Sequence, residues 1–153
     1  MIKVYMAAPL FSEPEVNQRI LEYNSVMRVI KENGFKHEVF APINAPHNDK
    51  SKLQSSENIF VVDEDALMPS DVVFADITGE DAGVMMELGM VIRSGVKIYP
   101  YLTDIRLQTA GEYDKHYVPF GYNQFVIGGL ERYGHKIHYS FKEALDSYVK
   151  DFS

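Results

Sequence analysis

A chain of 153 residues accommodates one domain, and 46% hydrophobic and 24% charged residues, with ten Tyr and nine Phe, exclude a disordered polymer. A formal net charge of −7 excludes a surface that grips nucleic acid through phosphates, and the absence of cysteine excludes disulfides, thiolate zinc sites and cysteine nucleophiles. No apolar run reaches the ~20 residues of a membrane span, and MIKVYMAAPLF alternates like a strand rather than forming an export signal, so we expect a single cytoplasmic domain over residues 1–153.

Residues 2–8 are apolar and β-rich and predict a buried strand. Ser12-Glu13-Pro14-Glu15 has the capping-box pattern of a helix start, with proline in the first turn. Val16, Ile20, Tyr23, Met27 and Ile30 follow at helical spacing as the expected buried stripe, and Asn33-Gly34 ends the helix. A second strand is expected at 37–40. Residues 42–56 read as a loop, long enough to suggest a functional one. A helix is expected over 57–67, a third strand over 71–77, a helix over 84–93 and a fourth strand over 96–101. Residues 103–121 lack a period. Val126-Ile127 and Lys136-Ile137-His138 are two short apolar pieces, one of which is expected to supply a fifth strand. Ser140 to Glu143 repeats the capping-box pattern and opens a last helix with the stripe Phe141, Leu145, Tyr148 and Phe152. This alternation predicts an α/β fold, a doubly wound parallel sheet of five strands with helices on both faces. In such sheets ligands bind beyond the carboxyl ends of the strands, near the switch point in strand order.

The acidic excess is concentrated. Residues 53–92 hold nine carboxylates (Glu57, Asp63, Glu64, Asp65, Asp71, Asp76, Glu80, Asp81 and Glu87) and neither Lys nor Arg. A site there repels phosphates and suits a neutral or cationic ligand. Glu57, Glu64, Asp65 and Glu80 read as solvated side chains, and Asp71 and Asp76, at the two ends of a strand, as structural caps. Glu87 is different because it is the single charge in VMMELGMVI. A carboxylate within so apolar a helix must be hydrogen-bonded or look into a cavity. Near the helix N-terminus the dipole favours its ionised form. Asp81, in the Gly79–Gly83 loop before that helix, can lie beside it, and Asp63 follows an apolar run on the preceding helix. Two or three carboxyls around one cavity suit glycosidic-bond cleavage, with one ionised as nucleophile and one protonated as acid. Tyr5 can reach Glu87 if the first and third strands are neighbours. GEDAGVMMELG lacks the lysine of a P-loop and the glycine spacing of a dinucleotide site. His37, His47, His116, His135 and His138 show no metal-ligand spacing. We therefore expect neither metal nor cofactor.

Tyr5 in the first strand, the small residues and Phe11 after it, Asp63 eight residues before Asp71, and D-x-G-x-x-M-E-L-G from Asp81 to Gly89 together resemble the nucleoside 2-deoxyribosyltransferases. The resemblance covers most of the chain, including Asn123-Gln124-Phe125, where family members commonly read Asn-Leu-Met. It implies a flavodoxin-like fold and a ping-pong transfer of 2-deoxyribose between nucleobases. Glu87 would be the nucleophile, Tyr5 would orient its carboxylate, and Asp63 would move the proton of the departing and incoming base. Asp81 and Gly83 would lie against the substrate, and Phe11 would wall the base. Asn123 and Phe125 would complete a neighbouring subunit's pocket at the sugar 5′-hydroxyl, which implies a homo-oligomer with shared sites. The partners implied are deoxynucleosides and free bases.

The sequence departs from the family in having Phe125 where Met is usual, in a C-terminus (VKDFS) without a clear site carboxylate, and in a poorly matching loop 42–56. A deoxynucleoside monophosphate hydrolase would need Ser and Arg donors after the first strand, where this chain reads AAPLFSEPE. Hydrolysis of nucleosides, and a nucleoside-binding module without catalysis, remain the alternatives.

Overall fold

The computed structural model describes residues 1–45, 53–108 and 121–153. Four parallel strands, β1 (Ile2–Ala7), β2 (His37–Phe40), β3 (Val72–Asp76) and β4 (Lys97–Tyr101), lie in the order β2-β1-β3-β4. The helices are α1 (Glu13–Asn33), α2 (Ser56–Leu67), α3 (Ala82–Val91), the short α4 (Ile105–Gln108), α5 (Gln124–Arg132) and α6 (Phe141–Phe152), with a 3-10 turn at Pro42–Asn44. Alternate strand residues point to opposite faces and build two cores. Tyr5, Ala7, Val73 and Ala75 pack with Leu67 of α2, Val84, Leu88 and Val91 of α3, and Ile127 and Leu130 of α5. Val4, Met6, Phe74, Tyr99 and Tyr101 pack with Val26 and Ile30 of α1 and Ala144, Leu145 and Tyr148 of α6. The doubly wound parallel α/β architecture is as expected.

The helix starts follow the sequence signals. Ser12 and Glu15 form a complete capping box, and Gly34 closes α1 in the left-handed conformation at φ 66°. Ser55 caps α2 and Ser140 caps α6.

Two expectations are corrected. The fifth strand is reduced to one parallel bridge between Tyr101 and His138 among the described residues. His138 exchanges two backbone hydrogen bonds with β4 and its flank, and the capping serine of α6 then ends the extended run two residues later. Val126 and Ile127 lie in α5, where Ile127 and Leu130, three apart, share its buried face. The buried face of α1 is also rotated: Arg19, Glu22, Val26 and Ile30 are buried, while Ile20 and Met27 are exposed. Helix α3 is apolar without being enclosed: Met86 is 57% exposed and faces a cavity beside α2.

The rotation of α1 has an electrostatic cause. Arg19 Nη1 donates to Asp76 Oδ2 at 2.7 Å, and its Nε lies 3.2 Å from Glu22 Oε2. Tyr101 donates to Glu22 Oε2 at 2.9 Å and Gln18 donates to Glu22 Oε1 at 2.9 Å. Asp76 also accepts from the Thr78 amide at 3.0 Å. Buried charges persist when paired and hydrogen-bonded in this way. Burial still holds the Glu22 carboxyl above its ordinary value, against the lowering by Arg19 and its two donors. Arg19→Leu leaves two buried carboxylates without their cation, and should cost about 3–5 kcal/mol in urea denaturation near neutral pH. A loss below 1 kcal/mol would mean that the pair contributes no more than an exposed one.

Candidate active site

Strand β1 lies between β2 and β3, so the switch in strand order falls there, and the segments leaving β1 and β3 flank it. In register, Tyr5 is opposite Val73 on one side and Phe40 on the other. Its side chain points to the α2–α3 face, is fully buried, and stacks on Phe40 with centroids 5.4 Å apart. Its hydroxyl donates to Glu87 Oε1 at 2.5 Å. Glu87 is half-buried, one turn inside α3. Asp81 caps that helix, accepting from the Val84 amide at 3.0 Å. Gly83 leaves space for this cap, because a Cβ there would stand 3.1 Å from Asp81 Oδ1.

Two adjoining cavities meet at these residues. The larger, about 340 Å³, is lined by Ala8, Leu10, Phe11, Pro42 and Val84 together with Asp63, Asp81, Gly83 and Glu87. The second, about 220 Å³, runs between α2 and α3 past Phe60, Leu67, Met86 and Met90. Ile59, Asp63, Gly83 and Glu87 line both, so the Asp63 and Glu87 side chains form their common wall. Phe11 stands at the rim, 81% exposed, with its amide and both donors of Ser12 fastened to Glu15. No Lys, Arg or His is among the described residues lining either cavity. Arg19, on the opposite face of the sheet, is engaged by Asp76 and Glu22.

This environment sets the charge of the site. Burial raises the Glu87 carboxyl to about 7, the hydrogen bond from Tyr5 opposes the rise, and Asp63 and Asp81 add to it. The Tyr5 hydroxyl is pushed well above its ordinary value by burial first and then by Glu87, so it remains a donor. A carboxyl raised towards neutrality beside other carboxyls allows the roles of acid and nucleophile to be divided between them.

The structure thus brings together Tyr5, Asp63, Asp81, Gly83, Glu87 and Phe11 of the expected set. It does not bring Asn123 or Phe125 to them. Asn123 caps α5 by accepting from the Phe125 amide at 3.0 Å, Phe125 is 91% exposed, and neither is among the residues lining the two cavities. Asp71 and Asp76 cap backbone as expected, Asp71 accepting from the Lys3 amide at 2.8 Å. Sequence reasoning missed Glu64, which lines the second cavity, and Glu80, whose carboxylate accepts from the Asn123 amide at 3.0 Å. It also missed Ile59, Phe60, Met86 and Met90 as cavity walls, whose signal was the apolar excess on α2 and α3 beyond one buried stripe. His47 and His116, with the rest of 46–52 in loop 42–56 and of 109–120 in 103–121, lie outside the described residues. Among the described residues no group of three or more His, Asp or Glu is placed to hold a metal ion, and no helix is long and apolar enough to cross a membrane.

The raised Glu87 carboxyl has a stability consequence. Between the ordinary value of 4.5 and about 7, folded chains retain a proton there that unfolded chains release, so stability falls as pH rises through this window. Glu87→Gln carries no titrating proton and should show a smaller loss of Tm from about pH 5 to pH 8 than the wild type. Equal losses in thermal melts would place this carboxyl at its ordinary value.

Comparison with known proteins gives the family and the fold. The family model described as nucleoside 2-deoxyribosyltransferase matches residues 4–142. A conserved protein of Enterococcus faecalis is 26% identical, with 100% of this chain and 99% of that one covered and a TM-score of 0.78. The 2-desoxiribosyltransferase of Leishmania mexicana shares the fold at 20% identity and a TM-score of 0.68, with 98% of both chains covered. A CMP N-glycosidase of Clostridium botulinum shares it at 20% identity and 0.58, with 97% of this chain and 98% of that one covered. With the family match running from the first strand to the start of the last helix, this chain belongs to the nucleoside 2-deoxyribosyltransferase family.

Proposed function

We propose that the protein transfers 2-deoxyribose between nucleobases by a double displacement through Glu87. The observation that carries this reading is the Tyr5–Glu87 hydrogen bond of 2.5 Å at a cavity wall shared with Asp63. In the first half-reaction a Glu87 carboxylate oxygen attacks C1′ of the deoxynucleoside, forming a glycosyl ester as the bond from C1′ to the base nitrogen breaks. The Asp63 carboxyl gives its proton to the departing base. In the second, the nitrogen of an incoming base attacks C1′, the ester bond breaks, and the base proton passes to the Asp63 carboxylate. Two inversions give net retention. Tyr5 holds one Glu87 oxygen and leaves the other to react, and its hydrogen bond favours the ionised nucleophile.

Asp81 and Gly83 bound the sugar and base, and Phe11 at the rim supplies an apolar face for the base. The absence of a cation among the described lining residues supports an uncharged nucleoside over a nucleotide. Asn123 and Phe125 complete the pocket of a second subunit, which agrees with their exposure and their absence from the lining of the cavities of their own chain. The protein then works as a homo-oligomer in the cytoplasm, without metal or cofactor.

A second reading is favoured by the likeness to the Clostridium botulinum CMP N-glycosidase. Water can replace the acceptor base, which makes the same site a hydrolase. Chromatography of a deoxynucleoside incubated with and without a second free base separates the two. A new deoxynucleoside formed only with the second base establishes transfer; free base released equally in both makes the protein a hydrolase.

Glu87→Ala and Glu87→Gln should each lower transfer more than about a thousandfold, the scale on which loss of a nucleophile is felt. Near-normal turnover in either would remove Glu87 from the nucleophile's role. Asp63→Asn should slow deoxynucleosides with poor leaving bases more than those with good ones. The same factor for all bases would argue against Asp63 as the proton carrier.

A further inference from the structure

Glu80 is the single non-glycine residue with positive φ among the described residues, at 51°. Such a backbone costs energy and is kept where the surroundings require it. It closes the turn after β3, its amide donating to Ile77 O at 3.3 Å. From there its Oε1 accepts the Asn123 amide at 3.0 Å, across a sequence separation of 43.

That bond completes a helix cap. In a capping box the side chain at the third helical position, Glu or Gln, accepts the amide of the capping residue. In α5 that position is Val126, which cannot. Asn123 satisfies the Phe125 amide itself but needs an acceptor for its own, and Glu80 supplies it from another loop. A carboxylate there also suits the positive end of the helix dipole. A second bond fastens the same junction: the buried Tyr122 hydroxyl donates to Ile77 O at 2.5 Å. The turn after β3 and the start of α5 are therefore held as one unit, and Phe125 projects from it into solvent.

We propose that Glu80 is a positioning residue for Asn123 and Phe125, and that its effect is felt in the active site of another subunit. This rests on the reading that Asn123 and Phe125 complete a neighbour's pocket. Glu80, Asn123 and Phe125 are all absent from the lining of the two cavities around their own Glu87. Losing the carboxylate frees the start of α5 and weakens the neighbour's hold on the sugar, while the nucleophile of the altered chain stays intact.

Glu80→Gly tests this without straining the fold, because glycine accepts the left-handed backbone that Glu80 adopts. It should raise KM for the deoxynucleoside roughly three- to tenfold, as loss of one hydrogen bond does, with kcat little changed. Glu80→Gln, which keeps an acceptor oxygen, should restore most of the affinity. The deciding measurement uses mixed oligomers of Glu80→Gly and Glu87→Ala chains, isolated through two affinity tags. Their active sites belong to Glu80→Gly chains but are completed by the intact cap of the partner, so KM should return to the wild-type value. A KM that stays raised in the mixture, or is normal in Glu80→Gly alone, overturns the proposal. Asn123→Ala mixed in the same way with Glu87→Ala tests the premise separately. Recovery for Asn123→Ala but not for Glu80→Gly leaves shared sites standing and removes Glu80's role across subunits. Recovery for neither removes the shared site, and the proposal with it.

Discussion

Parallel pairing of β1 with β3 is the constraint on which the catalytic geometry depends. The register from Val4 opposite Val72 to Ala7 opposite Ala75 brings the two strands to their carboxyl ends side by side. The segment carrying Leu10 and Phe11 then opens onto the same cavity as the turn carrying Asp81. It also aims Tyr5 at the first turns of α3, where its hydroxyl meets Glu87. A shift of one residue would turn Tyr5 to the α1–α6 face, because side chains alternate across a sheet. The site is thus a consequence of strand register before it is a matter of side-chain choice.

The two faces of this sheet treat buried carboxylates in opposite ways. On the α1 side, Glu22 and Asp76 share Arg19, and Tyr101, Gln18 and the Thr78 amide add hydrogen bonds. Charge there is compensated and the network holds α1 against the end of β3. On the α2–α3 side, Glu87 has a phenol for a partner and two carboxylates for neighbours, with no cation among the described residues of the cavity walls. Burial raises its proton affinity, and the neighbouring Asp63 and Asp81 add to the rise. A group held this way is costly to fold and useful to a reaction that needs a carboxylate to change state near neutral pH.

Much of the architecture was legible in the chain. Ser12, Glu15 and Gly34 marked α1, Ser140 marked the start of α6, and the apolar runs marked four strands, because these signals act over three or four residues. The fifth strand is reduced to the bridge at His138, in one of the two pieces expected to supply it, and Val126-Ile127 lies in α5 because so short an apolar run does not tell strand from helix. The face of α1 was misjudged for a different reason. Hydrophobicity alone selects Ile20 and Met27, whereas the fold buries Arg19 and Glu22 because Asp76 and Tyr101, far away in sequence, compensate them.

The sequence by itself determined the alternation of strands and helices, the concentration of carboxylates in residues 53–92, and the isolation of Glu87 in an apolar helix. Each follows from local spacing and composition. Only the tertiary structure decided which carboxylates meet. Asp63, Asp81 and Glu87 converge with Tyr5, while Glu80, next to Asp81 in sequence, turns through a positive φ to cap α5 instead. Adjacent residues can part in this way because backbone dihedrals and strand register, set by packing across the whole sheet, fix the direction in which each side chain points.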